Sequence, residues 1–477
     1  MLVAAPNVRV DTNNTHALAS EPEPYNVILM IGDGMGPSQI ELGRLVEYGP
    51  SGNLTMQDAP LTISVTTFSA DNSITDSAAA ATAIATGWKT NNGMVSVLPN
   101  GTILDTILEN AQLHGKATGL VVTSEIQHAT PACFATHVSS RSNYVEITRQ
   151  LVEEAEVDVL LGGGLNYFSP AQLQYMENQN YTIVQNRTGL LDVQNGTVLG
   201  LFAGSHMDYE EVRNYSQTPS LAEMTNKTLS ILSNDPDGFF LMVEGSRIDH
   251  AAHANDPIGV ALEMVAFDNA VEVALEYVQS HEHTILIVTA DHETGGLAVI
   301  SHNLSDELPT DGMSEEEKRS LRIERTQNVS VTWSTGYHTS TNVSLFCFGP
   351  LFSGLSNGSI IDNTDIFNEI SQYYAEEPAD SPPQPPKPTS TTTNRNTTTT
   401  TNNDTTTVVT TSTESTSSTT IETSTDSSTS STTNETSSSD SSFLPSPFYF
   451  NPLFLGLVTG SAAVIIVILV RWKQLNS

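Results

Sequence analysis

The residues of this chain that can do chemistry stand at the ends of apolar runs. Asp33 follows NVILMIG, Glu244 follows FFLMV, Asp291 and His292 follow ILIVTA, and Thr130 lies in the loop after GLVVTSEIQ. Any one of them alone is an ordinary cap, turn or satisfied core polar group. Together they deliver carboxylates and imidazoles from separate runs, in a chain with only 12 His. That combination points to zinc, which takes His nitrogen and Asp oxygen in four-coordinate sites. VEGSRIDHAAH adds a spacing argument, because Asp249 and His253 are four apart and share one face of a helix as a two-ligand lobe. His250 points elsewhere, to solvent or to a supporting position behind the ligands. His338, in TGYHTSTNVSLF just before another apolar run, is placed either to close a site or to serve the structure.

A nucleophile candidate sits in TDSAAAATAIATG, residues 75–87. Alanine is the strongest helix former, so the run predicts a helix over 78–85, ended by Gly87 and with Asp76 or Ser77 at the N-cap. Ser77 is then either that cap or a hydroxyl nucleophile whose attack on an anion is helped by the positive end of the helix.

The elements that must hold these residues follow from the apolar pattern. NVILMIGDG, TGLVVTSE, VDVLLGGG, GFFLMVEG, TILIVTADH and VSLFCFGP are near-continuous apolar runs and read as buried strands. Helical segments such as LDTILENAQLHG and GVALEMVAFDNAVEVALEYVQS lie between them. The fold class is α/β, a doubly wound central sheet sandwiched by helices. Such sheets gather ligands at the carboxyl ends of their strands, where the acids and imidazoles lie.

The 477 residues are 38% hydrophobic, enough for a large core. A formal charge of −36, from 18 Lys plus Arg against 54 Asp plus Glu, excludes nucleic acid as a partner. The acidic balance suits a high-salt setting, and acidic secreted proteins share it. Cys133 and Cys347 stand in no metal-binding spacing and are expected to be small core residues.

Composition divides the chain into an N-terminal segment (1–22), a catalytic domain (23–377), a Pro/Ser/Thr-rich disordered stalk (378–442), a transmembrane helix (453–470) and a cytoplasmic tail (471–477). LFLGLVTGSAAVIIVILV carries no charge and is long enough to cross most of a ~30 Å hydrocarbon core. Arg471 and Lys473 just after it are the positive-inside signature, which places the folded domain outside the cytoplasm. The first twenty residues hold no apolar run of signal-peptide length, and a start elsewhere is expected. Sequons at Asn53, Asn100, Asn180, Asn195, Asn226 and Asn342 fit a glycosylated, cell-surface protein; a cytosolic tail-anchored domain is the opposing expectation.

With these residues in view, the chain resembles the alkaline phosphatases. The resemblance rests on IGDGMG, TDSAAAATA with TGWKTNNG, HATPACFATHVSSR, VEGSRIDHAAH, TADHETGG and GYHTSTNVSLFCFGP, in family order over residues 25–350. It implies hydrolysis of phosphate monoesters through a phosphoserine on Ser77, at a site with two zinc ions and one magnesium ion. By the same resemblance Asp249, His253 and His338 hold the first zinc, and Asp33, Asp291 and His292 the second. Asp33 bridges to magnesium, which Thr130 and Glu244 complete, and Arg141 clamps two phosphate oxygens. Two metals about 4 Å apart suit an in-line displacement.

His128 and His250 match positions that vary in the family and tune magnesium binding. The folded region is shorter than in animal members, so a large dimer-forming insertion is expected to be absent, with residues 306–326 as a smaller substitute; a homodimer is left open. A phosphodiesterase of the same superfamily and an inactive stalk protein are the rival expectations. Ser77 with Arg141 favours monoesters over diesters, and no ligand is missing, as it would be in a degenerate domain.

Overall fold

All six apolar runs form strands, because strands covered on both faces need apolar side chains at nearly every position. The computed structural model describes residues 25–375, so the expected stalk (378–442), membrane span (453–470) and N-terminal segment (1–22) lie outside the described residues. Among the described residues no helix is long and apolar enough to cross a membrane.

The strands are, in chain order, β1 (Asn26–Gly32), β2 (Leu61–Thr66), β3 (Ala117–Glu125), β4 (Val159–Gly163), β5 (Thr182–Val184), β6 (Val198–Leu201), β7 (Phe239–Gly245) and β8 (Thr284–Ala290). Four short ones follow, β9 (Glu293–Thr294), β10 (Leu297–His302), β11 (Val329–Trp333) and β12 (His338–Thr339), and then β13 (Val343–Phe348) and β14 (Ile360–Asp362). Ten of them make one sheet in the order β14-β2-β13-β8-β1-β7-β3-β4-β6-β5. Every pairing in it is parallel except those of β13, which runs against both β2 and β8. The reversal has a simple cause: the chain enters β13 from His338, already at the carboxyl ends of the other strands, and can only run back.

Helices cover the sheet in two groups. Pro37–Tyr48, Leu221–Leu232, Pro257–Ser280 and Glu315–Gln327 contact one another, as do Ser77–Thr86, Ile107–Leu113, Ala129–Ala135 and Thr364–Ala375. The alanine-rich Ser77–Thr86 helix is buried along its whole length. Its small side chains admit mainly the Ala129–Ala135 and Thr364–Ala375 helices, so the close approach is helix to helix. Gly87 ends it at φ 73°, and a Cβ there would lie 2.8 Å from the Phe367 ring. The excursion between β10 and β11 carries the expected helix, Glu315–Gln327. Arg325 fastens that excursion, donating to the carbonyls of Leu45, Val46, Ser305 and Glu307, and Arg322 pairs with Glu47. Both cysteines are free and buried, as expected.

Register positions the site. Gly32 is paired with Gly245 on one side and with Ala290 on the other, so β1, β7 and β8 end level with one another. Asp33 is therefore brought to one edge with Glu244 and Asp291, each more than two hundred residues further along the chain.

Candidate metal centre and phosphate site

Three groups of ligating side chains meet at that edge, the donor atoms within each group lying within 4.8 Å of one another. They are Asp249–His253–His338, Asp33–Asp291–His292 and Asp33–His128–Glu244. Asp249 and His253 both sit on the Arg247–His253 helix, as their spacing requires. His338 is the first residue of the β12 bridge, pairing with Thr294, which carries its ring toward that helix. Thr130 is in the first turn of the Ala129–Ala135 helix and not in a loop, because the turn after β3 tightens directly into helix. His128 N-caps that helix without a side-chain capping bond, leaving its ring to face Asp33 and Glu244. It thus stands with Asp33 and Glu244, at a position where the resemblance has it tune magnesium binding. His250 packs its ring against His128 and His206, with centroids 5.5 and 4.5 Å away.

The donor atoms have the character of a cation site. His253 Nδ1 is 2.8 Å from the Gly336 carbonyl and His338 Nδ1 is 2.9 Å from the Thr75 carbonyl. A carbonyl only accepts, so each ring carries its proton on Nδ1. The two bare Nε2 atoms then face each other at 3.1 Å, with Asp249 Oδ1 at 3.4 and 3.6 Å. In His292 the Nδ1–H meets Thr294 Oγ1 at 3.2 Å, and that hydroxyl donates to Asp249 Oδ1 at 2.5 Å. His292 Nε2 is left facing Asp291 Oδ2 at 3.3 Å, Asp33 Oδ1 at 3.5 Å and Ser77 Oγ at 3.2 Å.

Both Asp33 oxygens, both Glu244 oxygens, Asp291 Oδ2 and Thr130 Oγ1 are buried without a hydrogen-bond partner, a costly arrangement unless a cation is held there. Burial raises the carboxyl pKa of Asp33 well above the usual range, with the Asp291 charge adding to it. Burial likewise pushes Asp291 to about 7 and Glu244 to about 8. It holds the His292 and His128 rings well below the usual imidazole range, so they stay neutral. Neutral imidazole nitrogens are what divalent ions require, and a bound cation would supply the positive charge these buried carboxyls need in order to ionise; the donor set fits zinc at the Asp249–His253–His338 and Asp33–Asp291–His292 groups. Gly34 permits the crowding: its φ is +72°, and a Cβ would come within 2.8 Å of Thr294 Oγ1 and 2.9 Å of the Asp249 Cα.

The capping question is answered by Asp76. It is the N-cap, accepting from Ala79 N at 3.0 Å through Oδ1, and Ser77 is the first helical residue with its Oγ turned to His292. The second Asp76 oxygen holds Arg141 Nη1 at 2.9 Å, while Arg141 Nη2 lies 3.3 Å from His128 Nε2. Ser77, Arg141, His128, His250, His253 and His338 line one cavity of about 570 Å³. Thr294 and His206 went unread in the sequence, and Asp76 was read as a cap candidate but not as the anchor of Arg141. Asp76 carried a signal in its place before Ser77, and Thr294 in its two-residue spacing from His292 on an extended segment; His206, in the loop after β6, carried none.

Level strands, paired ligand groups and a hydroxyl beside them define a metal-assisted hydrolase on a mostly parallel α/β sheet. The sequence profile of the alkaline phosphatases matches residues 25–305. Alkaline phosphatase 3 of Bacillus subtilis is 33% identical over 414 residues, covering 74% of this chain and 89% of its own length. Streptomycin-6-phosphate phosphatase of Streptomyces griseus is 32% identical, covering 78% and 94%. Among solved structures, the cold-active alkaline phosphatase of a psychrophilic Shewanella superposes with a TM-score of 0.64 at 31% identity, covering 73% of this chain and 99% of that one. A variant of the enzyme from the Antarctic bacterium TAB5, with magnesium in its M3 site, gives 0.62 at 32% identity, covering 74% and 98%. This chain belongs to the alkaline phosphatase family. It is a metal-dependent hydrolase of phosphate monoesters.

Proposed function

We propose that Ser77 is the nucleophile and that the reaction passes through a phosphoserine. The observation that carries this is the pairing of Ser77 Oγ with the unprotonated His292 Nε2 at 3.2 Å, while Asp76 alone serves as the cap. Asp249, His253 and His338 would hold one zinc ion, and Asp33, Asp291 and His292 a second. Asp33, Thr130 and Glu244 would hold magnesium, with His128 beside them. When bound, these ions supply Lewis-acid stabilisation of the negative charge that develops on oxygen.

The chain's own residues do the rest. Ser77 Oγ gives up its proton and forms a bond to phosphorus as the bond from phosphorus to the alcohol oxygen breaks and that oxygen takes up a proton; water then cleaves the phosphoserine, its OH joining the phosphate released and its other proton restoring the serine hydroxyl. Arg141 presents a planar fork to two phosphoryl oxygens, and Asp76 fixes the fork's direction. Thr294 holds His292 and Asp249 in orientation.

Ser77→Ala tests this. Its activity should fall on the order of a hundredfold or more and no phosphoenzyme should be trapped from a labelled aryl phosphate, while zinc content is retained. Wild-type turnover with a trapped phosphoenzyme would defeat the assignment. Hydrolysis of a diester in preference to the monoester would favour the phosphodiesterase reading.

For the residues beyond 375, the sequence supports a stalk, a span over 453–470 and a cytoplasmic tail, with the enzyme outside the cell releasing phosphate from esters that cannot enter.

A further inference from the structure

We propose that Tyr337 and Ile74 form a leaving-group platform that favours esters of alcohols bearing a flat, uncharged ring, such as nucleosides. The proposal rests on the phosphatase reading above. Tyr337 is 76% exposed and Ile74 39% exposed, yet both line the cavity that holds Ser77 and Arg141. An exposed apolar side chain is unremarkable in itself. These two are held in place by the site. His253 Nδ1 donates to the Gly336 carbonyl and Gly295 N donates to the Tyr337 carbonyl, each at 2.8 Å, so the main chain is gripped on both sides of the Tyr337 Cα. Ile74 donates its N–H to Asn72 Oδ1, and its carbonyl accepts from Asn92 Nδ2, both at 3.0 Å. His338 Nδ1 donates to the Thr75 carbonyl and ties the two segments together; Ile74 and Tyr337 each directly precede a member of that pair.

Direction follows from the in-line requirement. Ser77 stands with the Asp33–Asp291–His292 group, so the alcohol departs on the Asp249–His253–His338 side. Tyr337 adjoins His338 on that side. Arg141 is the sole Lys or Arg among the described lining residues, so a second anionic group on the alcohol would find no cation there. An aromatic face is rigid, costs little entropy to present, and stacks on rings whatever their substituents.

The test compares adenosine 5′-monophosphate with glycerol phosphate, both esters of aliphatic alcohols and thus alike in leaving-group chemistry. In the full-length enzyme, Tyr337→Ala should lower the ratio of their kcat/KM values about three- to tenfold, through a raised KM for the nucleotide. Tyr337→Phe, which keeps the ring, should hold the ratio near wild type. A ratio unchanged in Tyr337→Ala, whether or not absolute rates move, overturns the platform. Wild-type enzyme that cleaves neither ester would instead sink the phosphatase reading, and the platform with it.

Discussion

His253 Nε2 and His338 Nε2 face each other at 3.1 Å with no proton to share, because each ring donates its only N–H to a backbone carbonyl on the far side. Two lone pairs held this way repel, and nothing among the described residues relieves them. A divalent ion does, so the folded site is strained toward binding one.

Metal removal should therefore change how stability depends on pH. Asp291 and Glu244 rise from 3.8 and 4.5 to about 7 and about 8 in the folded, metal-free protein. A raised carboxyl pKa stabilises the fold fully below the unfolded value, and that contribution is lost as pH climbs through the folded value. Chelated protein should lose thermal stability between about pH 4 and 8, whereas zinc-loaded protein should not. Calorimetry across that range checks it; parallel curves would contradict the assignment of these carboxyls to metal.

Asp76→Asn should separate capping from phosphate binding. The amide oxygen still accepts from Ala79 N, so the helix cap survives, but Arg141 loses its ionic partner. Inhibition by inorganic phosphate should weaken about three- to tenfold with Tm nearly unchanged. An unaltered inhibition constant would show that Arg141 needs no anchor.

Remote from the site, Glu109 and His137 pair at 2.9 Å. Burial works against the His137 charge, yet the hydrogen bond it donates to Glu109 raises its pKa above 6.5; burial also opposes the Glu109 charge, yet His137 draws its pKa below 4.5. The His137 contribution is present below 6.5 and is lost as pH rises through its folded value. The Glu109 contribution is present above 4.5 and is lost as pH falls through its own. Glu109→Gln should therefore cost more at pH 5.5 than at pH 8.5, by about 0.5–1 kcal/mol for a partly buried pair. Denaturant melts at the two values measure the difference.

Cutting the chain near Ser390 should release a soluble and fully active enzyme, since the last candidate ligand is His338. Intact cells should hydrolyse an impermeant phosphate ester. Activity that emerges only after permeabilisation, with Asn53 and Asn100 unmodified, would favour the tail-anchored alternative.

What the sequence disclosed follows from how it is buried. β1, β7 and β8 are buried at every position and read as unbroken apolar runs. β2 alternates intermediate and buried positions in LTISVT, while β5 and β14 are only three residues long, and none of these gave a run to read. The candidate ligands Asp33, Glu244, Asp291 and His292 were visible because strand ends are where such sheets keep their chemistry. Partners were not. Arg141 finds Asp76 from 65 residues away and Thr294 finds Asp249 from 45, contacts that exist only once loops have folded back over the edge.

The level ends of β1, β7 and β8 set a dimensional tolerance on the whole chain. One residue added within any of the three would advance its donor by about 3.3 Å, whereas ligand bonds tolerate an error of only about 0.2 Å. Lengthening is thus excluded from the strands that feed the edge. Spare length is admitted where the scaffold can hold it at arm's length, in the excursion between β10 and β11 that Arg325 pins to the end of the Pro37–Tyr48 helix. Growth or loss of chain there would reshape the protein's outline and leave the spacing of its donors unaltered.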